Sequence, residues 1–349
     1  MQDDSHFLKS LPSESDIISH WRKAPGQNPK VSILCLTYNQ RQYIEDAITG
    51  FLTQVTTYPF EVIINDDCST DGTQDLLRLL AKAYPKIVRL NLQIENQHSQ
   101  GKKNLPSLIE LAKGDYYAFC EGDDYWTSSQ KLQTQIDLME SRPSAPLSFH
   151  ACQFLVNGVY KKSYTPPEKK AAYTADSFLI YGGNLSPTAS CVYRADFFQT
   201  LPEWIYNVSV LDILLESIAA EKACLAGESG ALYIDEEMSA YRVRSEGSWS
   251  AGPVQNIKTE YPKYRSALAL LDQYFDYKYN DLIQAALKRR PVVDAHRCLI
   301  RMDGAATREF ARSSISFSKL GLRALIIYFL SFSPIAYRQI RKIMGKPVI

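Results

Sequence analysis

The chain has 349 residues, 45% of them apolar, which is enough for two domains or for one large domain with additions. Lysine plus arginine number 39 against 38 aspartate plus glutamate, so the net charge of +1 gives no overall pull toward nucleic acid. Seven scattered cysteines without a CxxC pair argue against a zinc site and for reduced, buried thiols in a cytoplasmic protein.

Residues 1–29 are polar, lack the basic-then-apolar layout of a signal peptide, and read as a tail with one short helix near Ile17 to Trp21. A regular alternation follows. Val31 to Leu36 is an apolar strand, Arg41 to Leu52 has helical spacing, and Phe60 to Ile64 is a second strand. Asp71 to Tyr84 is helical, opened by Thr70-Asp71-Gly72 and stopped by Pro85. Ile87 to Ile94 is a third strand, Leu105 to Lys113 a helix, Tyr116 to Phe119 a fourth strand, and Lys131 to Ser141 a helix. Strands alternating with helices of this length predict βαβ units. The expectation is an α/β fold with a Rossmann-like, mostly parallel sheet and helices on both faces.

From about Leu147 the pattern changes to short strands (147–156, 191–193, 231–234, 239–243), Gly/Pro/Ser-rich loops and one clear helix, Leu211 to Ala223. After Pro253 the chain is helical and increasingly basic. The stretch LGLRALIIYFLSFSPIAY (320–337) is broken by Arg323 and Pro334, so it is too interrupted to span a bilayer. Two readings compete for it. It packs on the preceding α/β domain, or it makes a peripheral membrane contact over 320–346. In the second case Phe329, Phe332 and Ile335 sit in lipid, and Arg338, Arg341, Lys342 and Lys346 sit on anionic headgroups.

Ligands of an open parallel sheet bind beyond the carboxyl ends of its strands. There the sequence puts Thr37-Tyr38-Asn39 after the first strand, Asn65-Asp66-Asp67 after the second, and Glu121-Gly122-Asp123-Asp124 after the fourth. Three acids around one glycine exceed what a turn needs, and such carboxylates stay ionised together only with water or a cation. Mn²⁺ or Mg²⁺ suits oxygen ligands of this kind and completes its shell with water and substrate phosphates, which points to a diphosphate ligand. No Walker A or GxGxxG loop is present to cradle phosphates instead. Tyr38 offers a face to a base and Asp67 an acceptor to a ring N–H.

The motifs VSILCLTYNQ, EVIINDDCSTDGT and GDYYAFCEGDDYWTSSQKLQTQIDLME, within the run Lys30 to Val156, with a weaker match in YIDEEMSAYRVRSEGSWS (233–250), resemble a family 2 glycosyltransferase of bacterial surface polysaccharide synthesis. The resemblance implies the GT-A fold over 30–253, with a nucleotide-sugar half (30–146) and an acceptor half (147–253). A helical C-terminal region (254–349) lies outside it. It further implies an inverting transfer from a nucleotide-diphosphate sugar, UDP favoured, to a hydroxyl of a glycan or lipid-linked acceptor. Tyr38, with Thr37 and Asn39, lies by the nucleobase, and Asp66 and Asp67 contact base and ribose. Glu121, Asp123 and Asp124 correspond to the Asp-x-Asp element for metal and diphosphate; the usual first Asp is Glu here. Asp212 matches the catalytic base, with Glu203 and Glu216 as runners-up. Arg244 stands where the family often has a histidine, and Arg242 or Arg244 neutralises the diphosphate. Trp249 lies on a donor loop, and Lys103 faces the diphosphate or simply solvent. The competing classes are a catalytically inactive sugar-nucleotide or glycan-binding module and a sugar-phosphate nucleotidyltransferase.

Overall fold

The structure, a computed structural model, describes residues 4–22, 28–156, 158–182, 185–208, 210–243, 254–315 and 319–343. The chain divides into two compact units: residues 1–207 with 215–251, and residues 208–214 with 252–349.

The first unit is built on one ten-stranded sheet. Its strands are β1 (Val31–Thr37), β2 (Phe60–Asp66), β3 (Val88–Leu92), β4 (Tyr116–Phe119), β5 (Tyr125–Trp126), β6 (Leu147–Val156), β7 (Val159–Tyr164), β8 (Ala172–Tyr173), β9 (Val192–Arg194) and β10 (Ala231–Val243). The spatial order is β3-β2-β1-β4-β9-β6-β10-β5, with β7 on β6 and β8 on β10. β1, β2, β3 and β4 are mutually parallel, as the alternation predicts, and register Thr37 opposite Asp66. β9 then runs antiparallel to both β4 and β6, so the second half of the sheet is mixed. β1 and β2 are buried on both faces, which is why they read as continuous apolar runs rather than as alternation. Helices Ile44–Leu52 and Thr73–Ala83 turn Ile48, Phe51, Leu76 and Leu77 onto this sheet.

Two expectations are corrected. Residues 4–22 are not a tail: they form helices Asp4–Ser10 and Glu14–Ser19, and Ile17 is buried in the sheet's core cluster. Glu14 also accepts from the Lys86 and Ile87 amides, and the Tyr84 hydroxyl donates to the Pro12 carbonyl. The segment is polar because only a few of its side chains reach the core. Second, the strands expected at 231–234 and 239–243 are one, β10, whose pairing with β6 shifts register on either side of Glu237. The acidic run Asp235-Glu236-Glu237 marks that irregularity, not a break.

The second unit is helical: Val254–Tyr274, Asn280–Ile300, Gly304–Arg312, Lys319–Leu330 and Pro334–Ile343. Ile257, Val292, Ala295, Leu299, Phe310 and Ile327 belong to its core. The fully buried Asp294 is satisfied by Arg290 and Arg297, which also reach Glu260. No helix among the described residues is long and apolar enough to cross a membrane.

Candidate active site

The carboxyl ends of β1, β2 and β4 bring Thr37-Tyr38, Asp66-Asp67 and Glu121 to Asp124 to one edge of the sheet. Tyr38 is 41% exposed, so its ring is free to receive a flat ligand. Asn39 does not share that role. Its backbone is left-handed (φ 49°), its amide donates to Ser69 Oγ, and its side-chain oxygen accepts from the Thr70 amide. It ties the end of β1 to the loop after β2.

The two aspartates of that loop differ. Asp66 is fully buried and takes the Ser69 amide (2.8 Å), the Ser69 hydroxyl (2.5 Å) and the Gln74 side chain (2.6 Å). Its carboxylate folds the loop. Asp67, also buried, accepts from the backbone amides of Gln97 and His98 at 2.7 and 3.0 Å. It fixes the turn after β3 to the edge of the site. Asp71 holds the Arg41 amide and caps the helix at Thr73, an ordinary structural use of Asp-Gly.

The Glu121–Asp124 loop is shaped by Gly122. Its amide donates to the Leu36 carbonyl at 2.8 Å. A Cβ there would lie 2.6 Å from Gln40 Oε1 and 2.7 Å from Thr37 Oγ1. Asp123 is 7% exposed and Glu121 half-buried. Asp124 is buried: Oδ1 accepts from the Arg242 amide at 2.8 Å, and Oδ2 has no hydrogen-bond partner. Burial pushes its carboxyl well above the usual range, Asp123 and Glu121 push it the same way, and Arg242 opposes them. A buried carboxylate oxygen without a partner is costly unless something positive reaches it.

Arg242 is committed to this loop. The antiparallel pairing of β10 with β5 sets Ala240 opposite Tyr125 and so brings Arg242 to Asp124. Its guanidinium donates to the Asp123 carbonyl (2.8 Å), pairs with Asp46, and lies over the rings of Tyr125 (4.5 Å) and Tyr43 (5.2 Å). It holds the acidic loop from behind. Sequence reasoning missed Asp46 and Tyr43, which lie far from the loop along the chain. Gln40 and Tyr125 stood inside quoted motifs, VSILCLTYNQ and DDYW, without a role assigned to them.

Beneath the loop Lys131 is fully buried, its ammonium 2.6 Å from Gln135 Oε1 and 4.3 Å from the centre of the Trp126 ring. Burial lowers its pKa to about 7. Gln135 in turn donates to the carbonyls of Ser148 and Ser190, which joins β6 to the segment before β9. Lys103 is half-buried on the segment after the 98–100 turn. Arg244 and Trp249 lie outside the described residues.

Asp212 opens the helix Asp212–Leu225 and belongs with the second unit. It keeps solvent access, yet surrounding protein desolvates its carboxyl and moves it upward. Glu216 is buried and accepts from the Ser186 hydroxyl at 2.5 Å, a packing role. Glu203 opens a short 3₁₀ turn, Glu203–Asn207. Among the described residues no cluster of three His, Cys, Asp or Glu side chains is arranged to hold a metal. A hard divalent cation needs no such cage when it takes one or two carboxylates and substrate phosphates. Asp123 beside the unpartnered Asp124 oxygen fits that mode.

A parallel sheet with an acidic loop after its fourth strand and an exposed aromatic after its first is the arrangement expected of a glycosyltransferase domain. Residues 32–201 match Glycosyl transferase family 2, and the chain belongs to that family. The putative teichuronic acid biosynthesis glycosyltransferase TuaG of Bacillus subtilis is 39% identical over 117 residues, covering 34% of this chain and 44% of TuaG. WfaP of Escherichia coli, a UDP-Glc:alpha-D-GlcNAc-diphosphoundecaprenol beta-1,3-glucosyltransferase, is 32% identical over 142 residues, 40% of this chain and 52% of WfaP. The mannosyltransferase PcManGT of Pyrobaculum calidifontis, solved with GDP-Man and Mn²⁺, superposes with a TM-score of 0.51 at 15% identity, covering 99% of this chain and 93% of that one. That superposition speaks to the fold.

Proposed function

We propose that the chain transfers a sugar, with inversion, from a UDP-sugar to a hydroxyl of a glycan or lipid-linked acceptor, assisted by Mn²⁺ or Mg²⁺. The observation that carries the reading is the meeting of exposed Tyr38, Asp67 and Asp123 at one strand edge, beside a buried carboxylate oxygen of Asp124 with no partner. Asp123 and the free oxygen of Asp124 would hold the cation, which when bound offsets charge developing on the leaving diphosphate. Tyr38 stacks on the base. Asp67 sets the 97–98 turn against it and accepts a ring N–H when that turn yields. Arg242 keeps Asp123 in place and does not itself meet the diphosphate. Asp212 takes the proton of the acceptor hydroxyl as its oxygen bonds to the anomeric carbon and the bond to the diphosphate oxygen breaks. An upward-shifted carboxyl is the better proton acceptor for that step.

WfaP's name gives its acceptor as a sugar on diphosphoundecaprenol, which supports a lipid-linked acceptor and a peripheral membrane contact through 320–346 here. The scattered cysteines without a CxxC pair support a cytoplasmic location.

The test is release of UDP from a panel of UDP-sugars, with and without Mn²⁺ or Mg²⁺. Asp123→Ala is expected to abolish metal-dependent release. Asp212→Asn is expected to bind UDP and metal normally while losing transfer to the acceptor about 10²-fold or more. Binding of neither UDP nor metal to the wild type would sink the reading. Full transfer by Asp212→Asn would sink the assignment of the base alone.

A further inference from the structure

Helix Lys319–Leu330 is apolar on two opposite faces. Ala324 and Ile327 are buried in the core of the second unit. Leu322, Ile326 and Phe329, spaced i, i+4, i+7, are 58, 53 and 64% exposed. The stripe continues past the helix end with Phe332 and Ile335, exposed by 64 and 66%. Five large apolar side chains in one run are more than a soluble surface leaves bare without reason.

The charge around the stripe says what kind of surface covers it. Glu309 is the last acidic residue in the sequence. Residues 310–349 contain seven lysines and arginines and no aspartate or glutamate. Arg323 is exposed next to Leu322, and Arg338 is exposed shortly after Ile335. A second copy of the chain would set two such cationic faces against each other. Nucleic acid would match the charge but leave the phenylalanines in water. An anionic lipid surface satisfies both parts: the acyl boundary takes the apolar stripe and the headgroups take the cations.

We infer that the second unit docks on an anionic phospholipid surface through Leu322, Ile326, Phe329, Phe332 and Ile335, with helix 319–330 lying in the plane of the interface. The inference deepens the membrane contact named with the proposed function, and it stands or falls separately from the catalytic assignment. Docking restricts the acceptor to molecules anchored in the same bilayer.

The experiment is co-sedimentation of the full chain with vesicles of phosphatidylcholine alone and of phosphatidylcholine with phosphatidylglycerol. Strong binding is expected only with phosphatidylglycerol, weakening as salt screens the charges. Phe329→Ser should lower it about tenfold or more, and Arg323→Gln roughly fivefold. Both variants should release UDP from a water-soluble donor at the wild-type rate, so loss of docking is separable from loss of catalysis. Vesicle binding by a chain that binds neither UDP nor metal would refute the proposed function and spare the docking. Equal binding to both vesicle types would overturn the charge selection. No binding to either, with donor turnover intact, would overturn the inference. A concentration-dependent dimer in light scattering, dispersed by Phe329→Ser, would assign the face to a second copy and also overturn it.

Discussion

Adding one methyl group at Gly122 should disable the acidic loop without touching a carboxylate. In Gly122→Ala the new Cβ would stand 2.6 Å from Gln40 Oε1, 2.7 Å from Thr37 Oγ1 and 2.8 Å from Thr37 Cβ, where ordinary contact begins at 3.4 Å. The Gln40 side chain can swing away. Thr37 cannot, because it is the last residue of β1, paired with β2 opposite Asp66. The loop must therefore retreat by about 0.6 Å, the difference between 3.4 and 2.8 Å, and Asp123 goes with it. Overpacking of this kind costs about 1–3 kcal/mol of stability. A misplacement approaching an ångström costs about 10²-fold in rate. The assay is metal-dependent UDP release at saturating donor, with a thermal melt on the same sample. The expected result is a folded protein, a few degrees less stable, with turnover down by one to two orders of magnitude. Wild-type turnover with an unchanged melting temperature would refute the reasoning, since it would mean that the Thr37–Gly122 contact does not set the position of Asp123.

Two further substitutions probe what stands behind the loop. Arg242→Ala removes one hydrogen bond to the Asp123 carbonyl, two ring contacts and an ion pair with half-exposed Asp46, together about 2–4 kcal/mol. Because the Asp124 bond is to the Arg242 amide, it survives; donor and metal affinity should fall, and titration calorimetry would detect unchanged affinity if Arg242 were idle. Lys131→Met tests the buried ammonium by pH. The unfolded chain keeps this proton until about 10.5, whereas the folded chain loses it near 7. The unfolded state thus binds more protons between those values, and the wild type gains on the methionine variant as pH rises, by at most about 1.4 kcal/mol per unit. Below pH 7 the difference should be flat. Denaturant melts across the pH range check it, and a difference that stays flat from pH 7 up to about 10 would show that Lys131 keeps its charge when folded.

The parallel half of the sheet was legible because β1, β2 and β4 are short apolar runs bounded by turn chemistry, and burial on both faces leaves no other pattern. The site's acids were legible for a related reason: three carboxylates at one strand end have no local structural use. What those acids do individually was not. Asp66 and Asp67 are neighbours of the same type, yet one folds its own loop and the other receives amides from residues 97 and 98. Arg242 shows the same limit. Its charge suggested a diphosphate, and only the pairing of β10 with β5, which joins residues more than a hundred positions apart, turns it toward the Asp123 carbonyl and Asp46. Likewise the C-terminal apolar run was plain in the sequence, but which of its residues fill a core and which stay bare depends on helix packing: Ala324 and Ile327 go inward, Leu322 and Phe329 outward. Local pattern fixes what a segment can form and what it would bury. Partners distant along the chain decide which hydrogen bonds a polar side chain makes, because those bonds exist only once the strands and helices that carry them have met.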